Sequence, residues 1–264
     1  MNPEIFGGGP GMRPNESQKC NRRVMVAAHG EAMRFADDAF GWLGMTEAAG
    51  AALRSALAAP RGLILFAGPD GSGRADTLAA ARDEAPAAVA AAELRDSRSA
   101  GAAFRAAASQ LVLAPIRAGQ AVGAITRLRE WRIDPFTIAW TLRLVLAQLL
   151  ARRLCPDCRA PAQAGANVSA LLGFDPGTFV YVPRGCAGCG GEGYRGRIGL
   201  FEVLPIEGAI RRLVGMDGDE AVIASHAYRD RASLGSVARL MVREGLIGAE
   251  EAAFLARTPV RELV

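Results

Sequence analysis

The sequence predicts an α/β fold built on a parallel sheet. Three observations carry that expectation. Apolar runs of strand length alternate with segments of helical periodicity. The clearest run, Gly62-Leu-Ile-Leu-Phe-Ala67, flows directly into a glycine-rich turn, Gly68-Pro-Asp-Gly-Ser-Gly-Arg74, and then into a helix. That is the context in which a phosphate-binding loop is worth proposing, because backbone N–H groups at a helix N-terminus attract anions. Finally, half of the 264 residues are hydrophobic, enough for a real core, and the length suits two small domains.

Along the chain, residues 1–23 read as a disordered leader, rich in glycine and proline and free of any apolar run. Val24 to Arg34 suits a strand followed by a turn at His29-Gly30. Thr46 caps a helix that runs to Ala59 and stops at Pro60. The strand 62–67 and the loop come next, then a helix from Arg74 to about Glu84. Ala87 to Leu94 reads as a short buried strand, and Asp96 or Ser97 caps a helix running to about Ser109. Gln110 to Pro115 gives another strand, and residues 119–131 a helix with Val122, Ile125 and Leu128 on one face. Asp134-Pro135 is an N-cap with proline at the first helical position, expected to open a helix through Leu150. Arg197 to Leu204 is strand-like, and Pro205 begins a helical tail. There is no internal repeat.

Composition excludes several classes. The net charge is +4, and of 31 basic residues only Lys19 is a lysine. No basic stripe is interleaved with aromatics, which argues against nucleic-acid binding. The N-terminus has no signal-peptide pattern. The most apolar stretch, Ile138 to Leu150, is too short to span a bilayer and is interrupted by Arg143 and Gln148. The expectation is a cytoplasmic chain without a transmembrane segment.

Two tight pairs, Cys155-Pro-Asp-Cys158 and Cys186-Ala-Gly-Cys189, have the spacing that lets two thiolates reach one tetrahedral metal from a single turn. They are separated by 27 residues, longer than the commonest zinc-ribbon spacing. The competing readings are two disulfides in a secreted protein, or a chance pairing in a glycine-rich loop. In a reducing compartment such pairs meet metal instead of each other, which points to structural zinc on Cys155, Cys158, Cys186 and Cys189. Cys20 reads as a free thiol.

Several of these stretches together resemble a known family. They are Gly-Ala-Ile-Thr-Arg-Leu (123–128), Asp-Pro-Phe-Thr-Ile-Ala (134–139), Ala-Gln-Leu-Leu-Ala-Arg-Arg-Leu-Cys-Pro-Asp-Cys (147–158), and the run from Gly185 to Leu204. In this order they are similar to the type II secretion and type IV pilus assembly ATPases, and the likeness covers most of residues 46–205. The resemblance implies a RecA-like P-loop core, Mg·ATP at the loop, zinc on the tetracysteine element, and hexamers at the cytoplasmic face of the bacterial inner membrane. It implies nucleotide contacts from Gly68, Pro69, Asp70, Gly71, Ser72, Gly73, Arg74 and Ala75, and it sets Glu93 where the family carries a catalytic glutamate. The partners it implies are inner-membrane platform proteins and a competent ATPase paralogue.

The departures from the family pattern are as informative. The family has lysine and then Ser/Thr after the last loop glycine; here Arg74-Ala75 stand there. Arginine is a bulkier planar fork, and alanine offers no oxygen to Mg²⁺. Asp70 adds a negative charge where the family usually has threonine. Only Thr77 to Ala92 separates the loop from Glu93-Leu-Arg-Asp96, so the family's acidic segment is missing. Ala114-Pro-Ile-Arg117 replaces its histidine motif, and little of its N-terminal domain is recognisable.

The expected organisation is a leader (1–23), a remnant of an N-terminal domain with a linker helix (24–60), a shortened P-loop core (61–153), a tetracysteine zinc module (154–205) and a helical C-terminal region (206–264). Three functions compete. The first is a degenerate family member that binds nucleotide weakly or not at all and acts in assembly, a monomer or weak dimer when isolated. The second is an active ATPase, and the third a zinc-stabilised interaction module without nucleotide. Plainer readings stand beside each motif. The loop could be a ligand-free turn, Glu93 a surface carboxylate, Asp96 a helix cap, and His226 a solvent-facing side chain. Arg152-Arg153 suit either a subunit contact or a solvated helix end.

Overall fold

The computed structural model describes residues 33–175 and 177–257. The leader, the 24–32 part of the first expected strand with its turn, Lys19 and Cys20 all lie outside the described residues. A short helix α1 (Ala39–Trp42) and α2 (Glu47–Leu57) precede the sheet. Thr46 caps α2 through its hydroxyl, which accepts from Ala49 N at 3.3 Å.

The sheet contains β1 (Gly62–Ala67), β2 (Val89–Ala90), β3 (Leu111–Ile116), β4 (Leu142–Leu154) and β7 (Tyr194–Pro205), in the order β2-β3-β1-β4-β7. The first four run parallel, and β7 is antiparallel to β4. Helix α3 (Arg74–Glu84) follows β1, α4 (Ser97–Ala107) precedes β3, and α5 (Ala121–Glu130) and α6 (Pro135–Thr141) follow it. Strand β1 is buried throughout, as a strand covered on both faces must be. Its Ile64 and Phe66 pack with Leu53 and Leu57 of α2, while Leu63 and Leu65 pack with Phe104 of α4 and Ile125 of α5.

Between β4 and β7, β5 (Ala160–Gln163) and β6 (Phe179–Val182) form a separate two-stranded sheet, with α7 (Ala166–Leu172) between them. After β7 come α8 (Gly208–Gly215), α9 (Glu220–Ala227), α10 (Leu234–Arg243) and α11 (Ala249–Arg257). No helix among the described residues is long and apolar enough to cross a membrane.

The structure corrects one expectation outright. The helix opened by Asp134-Pro135 stops at Thr141, and Leu142 to Leu154 is strand β4. The run Leu-Arg-Leu-Val-Leu-Ala-Gln-Leu-Leu is almost continuously apolar, so its periodicity does not discriminate a buried strand from a buried helix. Position decides it: β4 sits between β1 and β7, where both faces are covered. The strand expected over 87–94 is also shorter, leaving Glu93 in the connection after β2. No element is expected from the sequence over residues 159–184, where β5, α7 and β6 form.

One buried carboxylate joins the sheet to the helices. Glu202, 1 % exposed on β7, accepts from Ala121 N (2.7 Å) at the start of α5, Leu234 N (2.9 Å) at the start of α10, and Tyr228 Oη (2.6 Å). It satisfies N–H groups of two helix N-termini that would otherwise be orphaned. Burial nonetheless pushes its pKa above the usual carboxylate value.

Candidate functional site

Two clusters of chemistry-bearing side chains stand out. The first is built where β1 meets α3. Gly71 (φ +77) and Gly73 (φ +79) take the left-handed conformation that turns the chain into the helix. Gly68 needs its missing side chain: a Cβ there would lie 2.3 Å from Ser72 Oγ and 2.7 Å from Gln148 O of β4. Ser72 is 3 % exposed, and among the described residues its hydroxyl meets no hydrogen-bond partner. Behind the loop, buried Thr77 donates to Gln148 Oε1 at 2.7 Å. Pro69 O accepts from Ser72 N at 3.2 Å and closes the turn. Ala75 presents only a methyl group in the first turn of α3.

Arg74 does not reach out of this loop. Its Nη1 donates to Ile116 O at the end of β3 (2.8 Å), and its Nη2 meets Asp70 Oδ1 (3.1 Å) and Glu93 Oε1 (2.5 Å). Arg95 Nε holds the other Glu93 oxygen at 2.8 Å, and Arg117 Nη2 holds Asp70 Oδ2 at 2.8 Å. The Arg74 and Glu93 side chains are only 12 % and 17 % exposed, so this pair is shielded from solvent screening. Three guanidiniums and two carboxylates thus form one chain of charge-assisted bonds across the loop. Glu93 thus has an arginine on each oxygen, Arg74 on one and Arg95 on the other. Asp96 lies apart, capping α4 through Ser99 N at 2.7 Å. Sequence reasoning had Arg74, Asp70 and Glu93 as candidates but missed Arg117, Arg95 and Gln148. A glutamine flanked on both sides by apolar residues, Leu144 to Ala147 and Leu149 to Ala151, is the available signal for the last of these.

The second cluster lies at the far end of the β4–β7 pair. Cys155 and Cys158 follow β4, while Cys186 and Cys189 flank a single 3₁₀ turn (Ala187–Cys189) ahead of β7. All four are free thiols, and their sulfurs lie within 4.8 Å of one another. Adjacent Sγ···Sγ distances are 3.9 Å (155–186), 3.8 Å (158–189) and 3.7 Å (186–189). A tetrahedral zinc site with Zn–S of about 2.3 Å has S···S edges of about 3.8 Å. The donor set and its spacing therefore fit a four-thiolate metal site, and they exclude disulfides, whose sulfurs lie about 2.05 Å apart.

Backbone geometry tunes these thiols unequally. Cys186 N and Gly193 N each donate to Cys189 Sγ at 3.2 Å, holding its pKa down at about 6. Burial pushes the Cys158 thiol up to about 11. Asp157 Oδ2 lies 4.0 Å from Cys155 Sγ and is held by Arg195 Nη1 at 2.9 Å. Arg152 stacks on Tyr194 and pairs with Glu251, so its side chain is engaged within the chain.

Residues 82–254 match the family model described as Type II/IV secretion system protein. Type II secretion system protein E of Klebsiella pneumoniae is 29% identical, over 83% of this chain and 54% of that protein. Type II secretion system ATPase E of Vibrio cholerae is 30% identical, over 79% of this chain and 51% of that protein. Type IV pilus assembly ATPase PilB of Myxococcus xanthus is 38% identical, over 52% of this chain and 25% of that protein. The chain thus spans about half the length of these relatives, or less. Among solved structures, the Legionella pneumophila ATPase DotB aligns with a TM-score of 0.57 at 14% identity, over 85% of this chain and 66% of that one. The pilus retraction motor PilT aligns with a TM-score of 0.54 at 17% identity, over 78% of this chain and 64% of that one. At such identities these structures speak for the fold alone, a mixed α/β architecture similar to RecA-like secretion ATPases.

Proposed function

The chain belongs to the Type II/IV secretion system protein family, and from that premise we propose that it is a member whose nucleotide loop is closed by its own side chains. It acts as an assembly or interaction component beside a competent ATPase of the same apparatus. The observation that carries this reading is the engagement of Arg74 by Glu93, Asp70 and Ile116 O.

A P-loop cation works by reaching the β- and γ-phosphates, and a Ser/Thr hydroxyl next to it ligates Mg²⁺. Here the guanidinium is turned back into the protein and Ala75 supplies no oxygen, so the residues present do not fit Mg·ATP. A nucleotide would have to break the bonds of Arg74 and then meet Asp70, a like charge beside its phosphates. Loss of one positioned electrostatic group costs roughly 10²–10³ in rate, and several are absent together. Turnover useful for transport is not expected.

The four-cysteine site is the part of the family's equipment that fits its ligand. Zinc on Cys155, Cys158, Cys186 and Cys189 would be closed and structural, offering cross-linking of β4 to β7 and no open coordination position. The same reading divides the chain as the sequence suggested: a shortened core over 61–153, a zinc-bearing segment over 154–205 and a helical region over 206–264. It places the protein at the cytoplasmic face of the inner membrane with platform proteins, a monomer or weak dimer when alone.

Titration of a labelled ATP analogue with and without Mg²⁺, followed by a phosphate-release assay, tests the proposal. Weak or absent binding that Mg²⁺ does not strengthen, with no release above buffer, is the expected result. Turnover that disappears in Glu93→Gln would overturn it, as would a stable hexamer of this chain alone by light scattering.

A further inference from the structure

Strand β7 is the outer edge of the main sheet, and a groove of about 590 Å³ runs along it. One wall is α2, through Ala49 and Ala52; the other is α10, through Val237 and Leu240. The floor includes Phe201, Val203 and Pro205 of β7 itself. Along an antiparallel strand, each residue turns its N–H and C=O together to one side, and successive residues alternate. Gly199 N donates away from β4, to Leu43 O at 2.9 Å, whereas Ile206 N donates toward it, to Arg143 O at 2.8 Å. Phe201 and Val203 share the parity of Gly199, so their N–H and C=O groups face the groove. Among the described residues neither group meets a partner on that side. Pro205 continues the same parity and has no N–H to leave unpaired, as suits an edge.

The groove is therefore shaped like a missing strand: a free ladder edge at its base, with Ala49 and Ala52 of α2 on one side and Val237 and Leu240 of α10 on the other. Such an edge accepts an extended segment through main-chain hydrogen bonds. Met33, the first described residue, lines this groove at 7 % exposure, so the segment before it is joined to a residue already inside the groove. Upstream, residues 24–28 read Val-Met-Val-Ala-Ala. That is a continuous apolar run with two β-branched valines, of the kind that suits a strand covered on both faces. The residues between, 29–32, span at most about 14 Å, which keeps the run within reach of the edge. We propose that residues 24–28 lie in this groove as a sixth strand, hydrogen-bonded to Phe201 and Val203 of β7.

Amide hydrogen exchange on the full chain tests this. The double substitution Met25→Pro/Val26→Pro removes two adjacent N–H groups, one of which must fall on the bonded side. The amides of Phe201 and Val203 are expected to exchange at least tenfold faster in that variant than in the unmodified chain. Met25→Thr/Val26→Thr should keep most of the protection, and a synthetic peptide of residues 22–30 should restore it to the proline variant. Fast exchange at Phe201 and Val203 in the unmodified chain would overturn the proposal. Protection untouched by the prolines would mean another occupant, and protection lost on dilution would mean a strand donated by a second copy; either outcome also overturns it.

Discussion

The loop at 68–74 and the four-cysteine cluster are both places where ligand-binding groups converge, yet they are completed in opposite ways. At the loop, every charge has found an opposite one inside the chain: Arg74 with Asp70 and Glu93, Arg95 with Glu93, Arg117 with Asp70. At the cysteines, four soft donors of one kind meet within 4.8 Å, and what would complete them is a cation. The difference teaches how to read residue identity at a degenerate site. Basic side chains beside a glycine-rich turn suggest an anion site only while their charge is unspent. Thiols at metal spacing cannot satisfy one another without oxidation, so their convergence keeps its meaning.

The largest expected effect breaks the cysteine site. Structural zinc contributes on the order of 10 kcal/mol to small modules at neutral pH. Cys155 is fully buried, and Cys155→Ser should abolish stoichiometric zinc in purified protein, lower the melting temperature and melt the region from Leu154 to Pro205 first. Metal analysis with calorimetry checks this; a variant that keeps its zinc and its melting point would remove the contrast between the two sites.

Restoring the closed site is the second way to sharpen the comparison. Arg74→Lys/Ala75→Thr returns a compact cation and a hydroxyl to the loop. Binding of Mg·ATP should tighten at least tenfold by fluorescence titration, while phosphate release stays at background, because Glu93 keeps its bond to Arg95. Unchanged binding would show that the obstruction lies elsewhere.

Smaller still is the cost of opening the closed site. Arg74→Ala leaves Glu93 largely shielded with one partner lost, which should destabilise the chain by about 1–3 kcal/mol in urea unfolding. Arg74→Ala/Glu93→Ala should cost less than the sum of the single changes, since the pair is coupled. Strict additivity would mean that the 2.5 Å contact contributes nothing.

The finest test concerns pH at the cysteines. In metal-stripped protein Cys189, held at about 6, is mostly thiolate at pH 7, while Cys158, at about 11, is thiol. Iodoacetamide should therefore alkylate Cys189 first and Cys158 last, as read by peptide mass spectrometry. The linkage signs follow. Cys189, depressed in the fold, stabilises the metal-free fold above the unfolded thiol pKa, and that contribution is lost as pH falls toward about 6. Cys158, raised in the fold, loses its contribution as pH climbs through about 11. Equal alkylation of the two would contradict the N–H···S geometry at Cys189.

Much of this was legible from residues because short-range chemistry wrote it. The cap at Thr46, the glycine turn at 68–73 and the C-x-x-C pairs are local patterns with local causes. What stayed hidden depends on tertiary placement. Leu142–Leu150 reads equally as helix or strand until its place between β1 and β7 is known. The partnership of Arg117 with Asp70 joins two strand ends that are distant in sequence. Glu202 looks like any polar residue of a half-exposed strand, and only the assembled helices show that it caps two of them.

Strand β4 runs past both clusters. Gln148, midway along it, props the glycine loop through Thr77 and the backbone near Gly68, and six positions further the strand ends at Leu154 beside the first cysteine pair. Its ladder with β7 fixes each residue against a numbered partner, Gln148 opposite Phe201 and Ala151 opposite Ile198. The ribbon is thus a ruler: the separation of the two clusters along it, roughly 20 Å at strand rise, is set by register. A slip of one residue would turn Gln148 to the opposite face of the sheet, away from Thr77. Clamping the cysteine end with a metal therefore also sets where the prop under the loop must stand.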